Sequence, residues 1–171
     1  LSLPSLWYII QLNAPGVNVL GASLPGSPNV IIGYTDSIAW GPTNAQRDVV
    51  DWYKIHFRDD SKSEYWLDSA WVKSKMRIEE IKIRGQEPLM DTVYYTEFGP
   101  VMYDDSFRPD SEKKYYALRW VSHDPSEEFY GFHLLNRAKN HEDYMAALEY
   151  FVSPAQNFAF ASSGGDIAMR I

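Results

Sequence analysis

The chain is dominated by short runs of residues, either mainly apolar or alternating apolar and polar, each closed by a turn signal. Such runs occupy residues 6–12, 17–24 and 30–34, and further runs follow between residues 49 and 121. Runs of this length, separated by Gly, Pro, Asn or Asp, predict antiparallel strands joined as a meander. Gly99-Pro100 and residues 104–110 are expected in loops. The 45% hydrophobic content is sufficient for a packed core. We therefore expect one domain, or part of a larger one, built mainly of antiparallel strands.

A helical pattern occurs in a single region, about 125–151. Pro125 is expected in the first turn of a first helix, with Glu127 and Glu128 complementing the helix dipole. Phe129 and Phe132 are expected on one apolar face of this first helix. Asn140 is expected to cap a second helix, whose apolar residues recur at helical spacing. Strands, then a helix pair, then a final strand predict the α+β fold class.

Composition excludes several classes of function. The net charge of −7 leaves no basic patch for phosphates, so a nucleic-acid partner is not expected. The chain has no cysteine, which rules out thiol catalysis and disulfide bonds within it. No apolar run approaches the ~18 residues that a membrane span requires, so no membrane span is expected.

Two polar motifs border the predicted strands. Thr43 and Asn44 follow the sequence Ala-Trp-Gly, and the acids Asp48 and Asp51 lie shortly after them. The second motif is Pro-Ala-Gln-Asn-Phe over 154–158, in which an amide side chain begins an alternating strand. A lone Asn in such a place is most often a hydrogen-bonded amide at a strand edge, so its motif context decides how it is interpreted.

Five segments, taken in order, resemble the large subunit of the penicillin acylase family of N-terminal-nucleophile (Ntn) hydrolases. Each is a weak signal alone, and their shared order carries the resemblance. The segments are 33–44, 48–51, 116–120, 136–138 and 154–158.

The resemblance implies part of the Ntn-hydrolase α/β/β/α sandwich, made of antiparallel strands and one helix pair. Residues 1–171 would be an internal fragment of a single large-subunit domain. Within it, the resemblance implies a strand-rich excursion over about 52–122 and the helix pair over about 125–151.

The chemistry implied by the resemblance is hydrolysis of a linear amide by an N-terminal Ser. The α-amino group of that Ser would be the general base, since its ordinary pKa of about 7.7–8.0 lies near working pH. The tetrahedral oxyanion needs fixed hydrogen-bond donors. By resemblance these are the side-chain N–H of Asn157 and the backbone N–H of Asn44.

Leu1 is not a nucleophile, so we expect the Ser to lie outside this chain and the fragment alone to be inactive. The resemblance implies an acyl-amide small molecule as substrate. It also implies partners from the same precursor, namely a small subunit and the segment that carries the Ser. A periplasmic or extracellular location follows from the family as well.

The resemblance further implies a structural calcium ion in the full-length enzyme. Its ligands here would be the carboxylates of Asp48 and Asp51 and the carbonyl of Val50, which are the hard oxygen donors that calcium prefers. The alternative is an acidic turn paired with Arg47 or Lys54.

Other interpretations also remain open. The four His residues have no metal-binding spacing, and a glycosidase pair could be drawn from the plentiful acids. The main alternative is a non-catalytic, aromatic-rich extracytoplasmic ligand-binding module, which the 12 Tyr and 6 Trp would suit. That module would not explain two ordered motifs around Asn44 and Asn157.

Overall fold

The computed structural model of the protein describes residues 5–104 and 114–171. Leu1 lies outside the described residues, as does most of a loop predicted over 104–110. The chain divides into two compact units. The first unit joins Leu1–Arg47 to Asp124–Ile171, and the second is Asp48–His123.

The described residues form mostly strands. In chain order the elements are β1 (Tyr8–Ala14), β2 (Val17–Ser23), β3 (Ile32–Thr35), β4 (Ile38–Asn44), β5 (Val50–Ile55), β6 (Glu64–Leu67), β7 (Ala70–Lys73), β8 (Lys75–Ile81), β9 (Leu89–Thr96), β10 (Gly99–Tyr103), β11 (Tyr115–Trp120), α1 (Glu128–Leu135), α2 (His141–Ala147), β12 (Gln156–Ser162) and β13 (Ile167–Arg170). Short 3₁₀ turns cover Val121–His123 and Leu148–Tyr150.

The first unit contains a six-stranded antiparallel sheet in the order β1-β2-β3-β4-β12-β13. Its core side chains come from alternate strand positions, as the sequence pattern predicts. The helix pair supplies the facing apolar side chains. The buried cluster includes Val19, Val30, Ile38, Trp40, Phe158 and Phe160 from the sheet side, and Phe132, Leu135, Tyr144, Ala147 and Leu148 from the helical region.

The start of α2 follows the sequence prediction, whereas the start of α1 does not. The Asn140 side chain accepts a hydrogen bond from the backbone N–H of Asp143 at 2.8 Å, which confirms the predicted N-cap. The expectation for Pro125 was wrong, because α1 starts only at Glu128. Glu127 has φ −123° and ψ 37°, outside the helical region, so the helix cannot extend back to the proline.

One buried amide joins the helix pair to the sheet region. Asn136, which is 1% exposed, accepts from the Val30 N–H and donates to the Val30 carbonyl, both at 2.8 Å. These bonds satisfy both backbone groups of a residue that lies just before β3, where no ladder partner follows from the sheet register. The Asn136 side chain therefore takes the place of a neighbouring strand.

The second unit contains a five-stranded antiparallel sheet in the order β5-β11-β10-β9-β8, and β6 and β7 form a separate hairpin. Its buried cluster comprises Ile55, Phe57, Tyr65, Val101, Tyr115 and Ala117. Gly99-Pro100 was expected in a loop, but these residues begin β10. Gly99 adopts φ 117°, which lets the chain turn and pair with β9 within a few residues.

The α+β prediction is confirmed by these mainly antiparallel sheets and the helix pair. Among residues 5–104 and 114–171, no helix has the length and hydropathy needed to cross a membrane.

Candidate active site

The two predicted oxyanion donors lie next to each other in the first unit. β12 pairs with β4, so that Asn157 is opposite Thr43 and Gln156 is opposite Asn44. The Nδ2 of Asn157 donates to the Asn44 carbonyl at 3.4 Å. Because this nitrogen carries two hydrogens, one N–H remains for another acceptor.

The register of the sheet determines where the Asn44 backbone N–H points. Ala45 donates its N–H to the Ala155 carbonyl at 3.1 Å. Hydrogen-bonded and non-hydrogen-bonded pairs alternate along an antiparallel ladder, so the preceding pair, Asn44 and Gln156, exchanges no backbone bonds. The Asn44 N–H therefore points away from β12. On that side β3 pairs with Ala39 and Trp40, short of Asn44.

Side chains hold this end of the two strands in place. The Asn44 side-chain oxygen accepts from Gln156 Nε2 at 3.1 Å. The buried Tyr144 hydroxyl donates to the Phe158 carbonyl at 2.7 Å, one residue beyond Asn157. Burial raises the pKa of Tyr144, so the hydroxyl keeps the proton that it donates. Asn157 is thereby anchored from the strand beside it and from the helix pair.

A cavity of about 470 Å³ lies beside Asn44 and Gln156, on the sheet face opposite the Asn157 side chain. Asn44 and Gln156 form part of its wall, and most of the rest is apolar: Trp7, Leu24, Ile31, Ile32, Phe129, Phe132 and Phe151. Small-molecule sites are typically cavities of about 300–1,000 Å³ with apolar walls and a few placed polar groups. This cavity has both properties.

Glu128 contributes a carboxylate to the same cavity. Its Oε1 accepts from the backbone N–H of Val152 at 3.2 Å and of Ser153 at 2.9 Å. Its Oε2 accepts from the Ser126 hydroxyl at 2.6 Å. Burial alone would raise its pKa, but these hydrogen bonds outweigh burial, and the pKa of Glu128 lies below its ordinary range.

The predicted calcium ligands lie in the second unit. Asp48 and Asp51 are exposed, and Asp51 is opposite Arg119 in the pairing of β5 with β11. Because Val121 donates to the Val49 carbonyl at 3.1 Å, the alternating ladder points the Val50 carbonyl away from β11, toward the outer edge of β5. The described residues contain no group of three or more His, Cys, Asp or Glu that could hold a metal ion.

Sequence reasoning missed the cavity and the role of Glu128. Phe129 and Phe132 were predicted as one apolar helix face, but Phe129 is 60% exposed while Phe132 is 7% exposed. An aromatic residue on an apolar face that the core does not cover is a signal for a pocket. The bonds from Glu128 to residues 152 and 153 span about 25 positions, and no local pattern indicates them.

A solved structure with the same architecture defines the class of protein. The thermostable penicillin G acylase from Alcaligenes faecalis, in its orthorhombic form, matches with a TM-score of 0.85 and 27% identity. The match covers 98% of this chain and 30% of that chain. The described fold is thus that of part of an Ntn amidohydrolase.

The sequence profile of the penicillin amidase family matches residues 1–171, and the chain belongs to that family. Acyl-homoserine lactone acylase QuiP from Pseudomonas aeruginosa is 29% identical over 94% of this chain. Acyl-homoserine lactone acylase PvdQ from Pseudomonas putida is 25% identical over 92% of it. The chain spans about 20% of the length of each of these relatives. The resemblance identified from the five segments is therefore confirmed.

Proposed function

We propose that this chain forms the oxyanion-binding part of an acylase that hydrolyses a linear amide. The attacking group is an N-terminal Ser supplied by a segment outside residues 1–171, and its α-amino group acts as the general base. The 171-residue chain alone is inactive on this proposal, since it supplies only part of the reacting groups.

The observation that carries the proposal is the position of two donors at the end of one strand pair. The second N–H of Asn157 and the outward N–H of Asn44 lie at the end of the β4–β12 ladder, on adjacent register positions. Donors fixed in this way stabilise the negative charge that develops on the carbonyl oxygen.

The relatives named as acyl-homoserine lactone acylases, and the similar structure of a penicillin G acylase, support an acyl amide as the class of substrate. Export to the periplasm or outside the cell belongs to the same proposal.

Kinetics of an Asn157 variant test the proposal. In the full-length protein that carries this chain, we expect Asn157→Ala to lower kcat on an apolar acyl anilide by about 10²–10³, the usual loss for one oxyanion donor. KM should change little, because the donor acts mainly in the transition state. Mass spectrometry of the purified protein would show whether a new Ser N-terminus has formed.

The matched control is Asn13→Ala, an exposed amide on β1, which should leave kcat unchanged. An unchanged kcat in Asn157→Ala would refute the oxyanion role. If the full-length protein has no Ser N-terminus and no amidase activity but binds apolar ligands in equilibrium dialysis, the ligand-binding module becomes the better description.

The proposal includes a structural calcium ion in the full-length protein, bound by Asp48, Asp51 and the Val50 carbonyl. Two exposed carboxylates and a carbonyl at the outer edge of β5 suit a hard cation. Further oxygen ligands would come from other segments of the protein.

A further inference from the structure

Glu128 is the charged group at the cavity that the proposed chemistry does not use. Its carboxylate accepts three hydrogen bonds, from the Val152 and Ser153 backbone N–H groups and from the Ser126 hydroxyl, at 3.2, 2.9 and 2.6 Å. Hydrogen bonds to an ionised acceptor are roughly twice as strong as bonds between neutral groups. A contact of this strength therefore fixes the start of α1 to the chain around residues 152 and 153.

The segment that Glu128 holds leads directly into the site. Ser153 is followed by Pro154 and Ala155, and Asn157 is the second residue of β12. The Ala155 carbonyl accepts from the N–H of Ala45, the residue directly after β4, at 3.1 Å. Beyond Asn157, the Tyr144 hydroxyl holds the Phe158 carbonyl at 2.7 Å. The backbone of Asn157 is thus fixed on both sides along the chain, and Glu128 provides the upstream anchor.

We propose that Glu128 is a positioning residue for Asn157. Its carboxylate fixes the 152–153 backbone, and this keeps the Asn157 amide directed at the proposed oxyanion position. The inference rests on the proposed function of Asn157, but Glu128 itself need not touch the reacting atoms. A misplacement of about 1 Å can cost up to 10²-fold in rate, so such an anchor affects kcat.

A double-mutant cycle in the full-length protein tests this inference. Glu128→Gln keeps the shape of the side chain but removes the charge from the acceptor. We expect it to lower kcat by about tenfold to a hundredfold with KM within about threefold, as for a loss of orientation. In the Asn157→Ala background the same change should lower kcat by less than about twofold, because the group that Glu128 positions is gone.

A merely structural role would make the two losses multiply, and that result would overturn the inference. An unchanged kcat in Glu128→Gln, alongside a large loss in Asn157→Ala, would also overturn it while leaving the proposed function intact. If Asn157→Ala itself has no effect, the proposed function fails instead. The matched control is Glu127→Gln, a change to the neighbouring exposed carboxylate, which should have no effect on kcat.

Amide hydrogen exchange keeps the test decisive if Glu128→Gln folds poorly. Glu128→Asp retains the charge but shortens the reach of the carboxylate, so we expect faster exchange at Val152 and Ser153 and an intermediate loss of kcat. Unchanged exchange at both amides would contradict the proposed anchor, since these N–H groups are the ones that Glu128 accepts from.

Discussion

At the scale of single residues, a sequence motif identifies a candidate side-chain donor more readily than it identifies the direction of a backbone N–H. Asn157 was identified from its motif, and the structure places its Nδ2 3.4 Å from the Asn44 carbonyl. The direction of the Asn44 N–H depends on the register of β4 with β12, which follows from long-range pairing. Glu128 was predicted only to complement a helix dipole, because its partners are about 25 residues away.

A close approach of two backbones gives a prediction at this scale. Gly33 faces Gly21 across β2 and β3, and a Cβ on Gly33 would lie 2.5 Å from the Leu20 carbonyl oxygen. Backbone atoms in a sheet cannot yield, so we expect Gly33→Ala to lower the free energy of unfolding by about 1–3 kcal/mol, as for an overpacked core.

The measurement is denaturant unfolding, and Gly41→Ala is the matched control. A Cβ at Gly41 has no neighbouring atom within 4 Å among the described residues, so its effect should stay within about 0.5 kcal/mol. Equal losses in the two variants would show that the close approach is not the cause.

At the scale of elements, strands were predictable where alternation is regular, and errors occurred where a single residue changes the local geometry. The β1–β2 hairpin and the helix pair were predicted close to their observed bounds. β10 was missed because Gly99-Pro100 has the composition of a turn, whereas the positive φ of Gly99 lets the chain re-enter the sheet at once. The residue types that form the core were predictable, because the buried side chains follow the apolar periodicity of the sequence.

The amide that joins the helix pair to the sheet gives a prediction about elements. Asn136→Ala leaves the N–H and the carbonyl of buried Val30 without their partner. An orphaned buried polar group costs roughly 1–3 kcal/mol, so two such groups should lower the unfolding free energy well beyond an ordinary surface change.

The comparison variant is Asn140→Ala, which loses an exposed helix cap and should cost about 1 kcal/mol. Chemical denaturation followed by circular dichroism gives both values. If Asn136→Ala costs no more than Asn140→Ala, the side chain is not the connection that the geometry indicates.

At the scale of the whole molecule, the family and fold class were predictable from the order of five weak motifs. The cavity was not predictable, because its wall combines residues from before β1, after β2, from β3, β4 and α1, and from the segment that leads into β12. Such a surface exists only after the chain has folded.

The calcium proposal is tested at this scale, since the remaining ligands would come from other segments. In the full-length protein, calcium at a hundredfold excess over its Kd should stabilise the folded state by about 2.7 kcal/mol and raise Tm. We expect Asp51→Asn to remove this rise, because the ion loses a charged oxygen ligand.

Asp68→Asn is the control for that measurement. It changes another carboxylate of the second unit, in the turn between β6 and β7, where φ is 51° and Asn is tolerated. A calcium-dependent rise in Tm that is equal in both variants, or absent from the wild type, would contradict the assigned ligands.

The outward N–H of Asn44 has a consequence for how the gene can vary. A backbone donor is present whichever side chain position 44 carries, proline excepted, because proline has no N–H. Substitutions at position 44 other than proline would leave the backbone N–H in place, whereas most substitutions of Asn157 would remove its side-chain N–H. On the proposed function, a saturation mutagenesis screen of the full-length protein for activity would therefore find position 157 strongly constrained and position 44 tolerant.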